Sequence, residues 1–225
     1  MNEIPHVQRS GLSHARLERL SRALEGYVER GEFAGVSALL YRHGALAYFD
    51  TSGWQDKKAQ VPMQRNTIFR LGSMTKPLTN VAALTLVEEG KLRLFDPVDE
   101  WLPELGNRMV MRDPNGSPDD VYPSPRPITL HDLLTYRPGI GWGKSSLGSQ
   151  LFALTAQPVA DALQISNAES LTPDAWMARI REFPLVYEPG ARWLYHISSD
   201  ILGILLTRVT GKSLEEALRE RVFEP

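Results

Sequence analysis

The run F-R-L-G-S-M-T-K-P-L-T, Phe69 to Thr79, sets a serine and a lysine three residues apart at the head of a strongly apolar stretch. On a helix that spacing puts the side chains of Ser73 and Lys76 on one face. A helix N-terminus presents unpaired N–H groups and the positive end of the helix dipole, both of which lower the cost of forming an alkoxide or oxyanion there. A lysine drawn into an apolar, electropositive setting is the kind that serves as a base. Ser73 and Lys76 are therefore candidates for nucleophile and base. They also suit a plain structural role, in which Ser73 caps the helix and Lys76 reaches water, and a chain of this length holds roughly one S-x-x-K by chance. Context has to decide between the two. The residues that follow, P-L-T-N-V-A-A-L-T-L-V-E-E-G, are apolar or small on nearly every side up to Glu88, which predicts a helix buried on most of its surface and stopped by Gly90.

Upstream, Leu17, Leu20, Leu24, Tyr27 and Val28 recur at helical spacing after Ser13, an N-cap residue, with Gly31 closing the segment. Residues 34–41 and 45–50 read as a hairpin turning at Arg42-His43-Gly44. No strand with period-two alternation is evident after residue 50. Downstream, residues 106–128 are loaded with Pro, Gly, Asn and Asp and read as a long loop, a lid or an insertion. Thr129 with Asp132 forms a capping box, Thr172-Pro173 starts a helix, Ser198 is placed to cap I-L-G-I-L-L-T-R-V-T, and Ser213 with Glu216 caps the last helix. The expected division is residues 1–70 as helix plus hairpin, 71–200 as a mainly helical lobe, and 201–225 as helices returning toward the first part.

Composition removes several classes of function. With 25 basic and 27 acidic side chains the formal charge is -2, which offers no field for a phosphate backbone. There is no cysteine, hence no disulfide, thiolate ligand or cysteine nucleophile. The start has no signal-like pattern, and no stretch approaches about 18 apolar residues. The expectation is a cytoplasmic chain without a nucleic-acid or membrane partner. P-G-I-G-W-G-K-S-S has Pro138 where a phosphate loop needs glycine, and no G-x-S-x-G elbow occurs. Five scattered histidines show no ligand spacing, so no metal or cofactor is called for. His196 reads as a surface or core histidine that merely adjoins Tyr195. Tyr136 and Trp142 read either as core aromatics or as the lining of a pocket for an apolar acyl group.

L-G-S-M-T-K-P-L-T, A-L-T-L-V-E-E-G-K-L-R-L-F-D-P-V, I-T-L-H-D-L-L-T-Y-R-P-G-I-G, Y-E-P-G-A-R-W-L-Y-H-I-S-S-D-I-L-G and V-T-G-K-S-L-E-E follow one another in the order of the serine β-lactamase-like and penicillin-binding-protein-like proteins. The chain most resembles the family VIII carboxylesterases among them, from about residue 15 onward. The resemblance implies an α/β (α+β) fold with an antiparallel sheet, flanking helices and a helical lobe. It implies Ser73 as acyl-accepting nucleophile, Lys76 as general base, and Tyr195 as the phenol that relays the proton to the leaving group. The usual Tyr-x-Asn has Ile197 in its third position, which favours a small-molecule ester over a lactam or peptide. Lys-Thr-Gly or its equivalents have no counterpart, since neither K-x-G nor H-x-G occurs. The C-terminal strands that carry this motif in the family are expected to be missing, leaving an open sheet edge that invites self-association. Other activities of the group (lactamase, peptidase, acyltransferase) and a non-catalytic remnant are the alternatives.

Overall fold

The computed structural model describes residues 11–142, 147 and 171–224, and the chain divides into two units at residues 70 and 71. In the first, α1 (His14–Glu29) turns Leu17 and Ser21 inward, and the Ser21 hydroxyl lies 3.0 Å from that of Tyr48. Ser13 holds the N-cap position with extended backbone, yet its side chain makes no capping hydrogen bond. Strands β1 (Gly35–Arg42) and β2 (Ala45–Asp56) form the expected hairpin, with His43 and Gly44 both at positive φ in the tight turn. A third strand, β3 (Val61–Pro62), pairs with the far end of β2 and corrects the expectation of no strand past residue 50. The alternation breaks at Gly53, which has φ +79° and packs so closely that a Cβ would fall 2.5 Å from the Ala34 carbonyl oxygen. Only glycine fits there, and a glycine carries no polarity pattern to read.

The second unit opens with a 3₁₀ turn, Gly72–Met74, leading into α2 (Thr75–Glu88). Met74 occupies the N-cap position and no side chain caps the helix. Ser73 therefore does not do the capping that a purely structural reading requires of it; it sits in the turn with its side chain exposed. Helix α2 buries Thr79, Ala82, Ala83 and Leu86, whereas Val81 and Leu84 are each 46% exposed. It is thus buried on one face, not on most of its surface.

Residues 106–128 also differ from expectation. Strands β4 (Met109–Met111) and β5 (Val121–Pro123) pair, and Val110 and Met111 are buried. The Met111 N–H donates to the Leu185 carbonyl at 2.9 Å and the Leu185 N–H to that of Met109 at 2.8 Å. The stretch carries an anchored ribbon, which three-residue strands and a partner far along the chain hide from any periodicity. The buried Arg108 guanidinium donates to the carbonyls of Arg181, Ile180 and Phe183, closing the C-terminal end of α4 (Pro173–Glu182).

Helix α3 (Leu130–Leu134) has the capping box of Thr129 and Asp132, α4 starts at Thr172 with Pro173 in its first turn, and α6 (Leu214–Leu218) has the box of Ser213 and Glu216. The central helix is α5 (Ile197–Thr210), which buries Ile197, Ile201, Leu202, Leu205 and Leu206 against α2, α3 and α6. It passes position 200 without a break. Ser198 is the second residue of α5 and fully buried, and His196 holds the N-cap position instead. Among the described residues, no helix is long and apolar enough to cross a membrane.

Candidate active site

Two segments bridged by backbone hydrogen bonds bring the aromatic residues together. The Leu194 N–H donates to the Tyr136 carbonyl at 2.8 Å, and the Trp142 N–H to the Tyr195 carbonyl at 3.0 Å. A Cβ on Gly141 would lie 2.7 Å from the Leu194 Cβ, so only glycine admits the approach that seats Trp142 against Tyr195. Tyr136 and Tyr195 stack at 6.3 Å, and the Tyr136 hydroxyl hydrogen-bonds Ser199 on α5. Trp142 lies face to face with His196 at 4.0 Å.

Trp142, Tyr195, His196 and Ser199 open on a cavity of about 610 Å³. Ser73 and Lys76 reach it from the head of α2, and Tyr195, His196 and Asp200 from the start of α5. Leu171, Trp176, Ile204 and Leu214 give it an apolar wall. The Lys76 ammonium nitrogen lies 5.3 Å from the Tyr195 ring centre, within range of a cation–π attraction, and 3.4 Å from His196 Nδ1.

His196 has φ 85°, a region that side-chain-bearing residues rarely enter, and its side chain is only 12% exposed. Burial, helped by the charge of Lys76, pushes its imidazole down to about 4. Its Nε2 lies 3.6 Å from Asp200 Oδ2. Burial pushes the Asp200 carboxyl up to about 6, against the pull of Lys76 and of a backbone hydrogen bond. The contact between them is not an ion pair: with those values the imidazole loses its charge before the carboxyl gains one.

The structure therefore brings Ser73, Lys76, Tyr195 and Trp142 to one cavity. Tyr136 does not line it and packs behind it, stacked on Tyr195 and hydrogen-bonded to Ser199. Ile197 is fully buried in the hydrophobic core and presents nothing to the cavity. Sequence reasoning set His196 aside and passed over Asp200. A signal was there, because residues four apart on a helix share a face, and the pair follows directly on Tyr195. Among the described residues no cluster of His, Asp and Glu suits a metal ion.

A model of the beta-lactamase family matches residues 20–225. The chain belongs to the beta-lactamase family. Within it, Protein Rv1367c of Mycobacterium tuberculosis is 36% identical over 197 residues, covering 88% of this chain and 47% of that protein. Esterase EstB of Burkholderia gladioli is 34% identical over 211 residues, covering 92% and 49% respectively. The solved structure of EstCE1, a hydrolase with promiscuous acyltransferase activity, superposes with a TM-score of 0.72 at 28% identity, covering 94% of this chain and 51% of its own. The fold is β-lactamase and transpeptidase-like, as the sequence motifs imply, and this beta-lactamase family chain spans about half the length of the curated relatives it matches.

Proposed function

We propose that the chain carries the acylating site of a serine hydrolase for small carboxylic esters. The observation behind this reading is that Ser73, Lys76 and Tyr195 open on one cavity with an apolar wall. Lys76, as the free amine, takes the proton of the Ser73 hydroxyl while Ser73 Oγ bonds to the ester carbonyl carbon. As the tetrahedral intermediate collapses, the C–O bond to the alcohol breaks and Tyr195 gives the departing oxygen its proton, which the Lys76 ammonium then restores to the phenolate. Water repeats the sequence in reverse and frees the acid. The family relationship supports hydrolase chemistry, and the esterase among the relatives is consistent with an ester substrate. Ile197 speaks against a lactam, since no amide stands at that position to hold the lactam carboxamide.

Transfer of the acyl group to an alcohol in place of water is the second reading. The apolar wall favours it, because such a surface holds an organic acceptor better than it holds water. EstCE1 is described with such an activity.

A fluorophosphonate probe followed by peptide mapping tests the proposal, with label expected on Ser73 and none on the Ser73→Ala variant. Because Ser73 caps nothing, that variant should keep the parent thermal midpoint, unlike loss of a cap, which costs about 1 kcal/mol. An activated short-chain ester should give a higher kcat/KM than a chromogenic cephalosporin. Undiminished ester turnover by Ser73→Ala would remove the assignment.

A further inference from the structure

One group at the cavity has no part in the reaction above. His196 Nδ1 lies 3.4 Å from the Lys76 amine, and three features hold its imidazole in place: the stack on Trp142, the N-cap position of α5, and the i,i+4 approach to Asp200. A backbone at φ 85° is a cost that a surface or filler histidine has no reason to carry. Its Nε2 points at the Asp200 carboxylate, which only accepts, and its Nδ1 at the Lys76 nitrogen, which carries N–H to donate whether or not it is charged. That arrangement admits one neutral tautomer, with Nδ1 bare and the proton on Nε2.

We propose that His196 is a positioning residue for Lys76: its bare Nδ1 accepts an N–H from the lysine and its Nε2–H faces Asp200, so the lysine nitrogen is held where it meets the Ser73 hydroxyl. The inference rests on the reading of Lys76 as the base for Ser73. No bond to His196 forms or breaks, and the proton moves only between Ser73, Lys76, Tyr195 and the substrate. The low pKa of His196 agrees with this role, since an imidazole protonated at Nδ1 has no lone pair there to accept the lysine N–H.

Two substitutions separate positioning from packing. His196→Phe keeps a ring to stack on Trp142 but offers no acceptor. His196→Asn gives up the stack, keeps an acceptor oxygen near the place of Nδ1, and belongs to a residue type that tolerates positive φ. Measured as acylation of Ser73 by an activated ester, the Phe variant should be slower by about tenfold or more in kcat with KM little changed, and the Asn variant should stay within about threefold of the parent. If His196 served only to pack the aromatic cluster, the order would be inverted. A Phe variant as fast as the parent, or an Asn variant as slow as Phe, overturns the inference.

Nitrogen-15 spectra of the imidazole supply a readout that needs no turnover. Nδ1 should be unprotonated at neutral pH and its resonance should move in a Lys76→Met variant, whereas a protonated Nδ1 overturns the proposal. Failure of the probe to label Ser73 in the parent sinks the hydrolase reading and this inference with it. Label on Ser73 together with a fast Phe variant sinks the inference alone.

Discussion

His196 and Asp200 displace in opposite directions, and the signs make a test. The Asp200 carboxyl rises from 3.8 to about 6, so between those values the folded chain holds a proton that the unfolded chain has shed. Its contribution to stability falls as pH rises through that window. The His196 imidazole drops from 6.5 to about 4, so below 6.5 the unfolded chain takes up a proton that the folded chain refuses. Its contribution therefore rises with pH across the same span. In the parent the two slopes oppose one another. Lys76 faces both groups, and its charge lowers the pKa of each without changing the sign of either displacement. Relative to the parent, Asp200→Asn should make stability climb from about pH 4 to 6, and His196→Phe should make it fall from about pH 4 to 6.5. The Asp200 side chain keeps 43% exposure, so solvent weakens its share and the His196 slope should be the steeper. Urea midpoints at several pH values for both variants check this, and curves that run parallel to the parent would show that neither group is displaced as described.

Helix starts were the most legible elements, because a cap is a contract between neighbours in the sequence. Thr129 with Asp132, Thr172 before Pro173, and Ser213 with Glu216 all hold. Ser73 and Ser198 obey the same local rule and still do not cap, since the entry angles of α2 and α5 are set by distant packing that puts a 3₁₀ turn before one and His196 at the head of the other. Strands β4 and β5 were illegible for a related reason: each is three residues long, and the further partner of β4, at Leu185, is a tertiary neighbour. The motif residues of the site could be read by resemblance, but the acceptor and carboxylate beside Lys76 could not, as their meaning lies in distances. Among elements, α3 gives the sharpest prediction. Asp132 is 1% exposed, receives both Arg126 nitrogens at 2.6 and 2.8 Å, and accepts from the Thr129 backbone and hydroxyl. Burial raises its pKa, yet those bonds outweigh it and hold the carboxyl below its ordinary value. Asp132→Ala removes the return half of the capping box and the carboxylate that Arg126 and Thr129 share, a loss of about 2 kcal/mol or more. Helix α3 leads directly into Tyr136, so the tyrosine's bond to Ser199 should loosen as well. The check is twofold: a lowered urea midpoint, and a parent advantage in stability that shrinks as pH falls below the ordinary carboxylate range, where Asp132 takes up its proton. A variant with the parent midpoint at neutral pH would show that Arg126 and Thr129 find equal partners elsewhere.

At the scale of the whole chain, the surface is more apolar than a net charge of -2 and an ordinary composition suggest. In the first unit β2 is the middle strand, so among the described residues β1 offers an open edge. Leu39, Leu40 and Tyr41 on that strand are 54%, 39% and 66% exposed. Natural sheets guard such edges with charge, proline or a bulge. Here the bulge falls between Leu40 and Tyr41, near the turn, and protects only the end of the strand. Arg42 is the one charged residue of β1, at its last position. In the second unit the outer face of α2 shows Met74 at 71% exposure with Val81 and Leu84, a stripe at helical spacing. Contiguous apolar surface of this kind marks a place where another surface docks or copies associate. The small net charge adds little repulsion to oppose contact between copies. The 225-residue chain should therefore associate in solution, with a sedimentation coefficient that rises with protein concentration. Placing lysines at Leu39 and Tyr41, which share one face of β1, should move that rise to higher concentration, because each new contact across the edge then brings like charges together. A Leu84→Glu variant separates the two surfaces, since it leaves the strand edge intact and alters only α2. Sedimentation velocity across a hundredfold range of concentration decides the matter: a single monomeric boundary throughout for the parent chain would show that neither surface drives association, and a parent-like rise in the doubly substituted chain would show that the sheet edge does not.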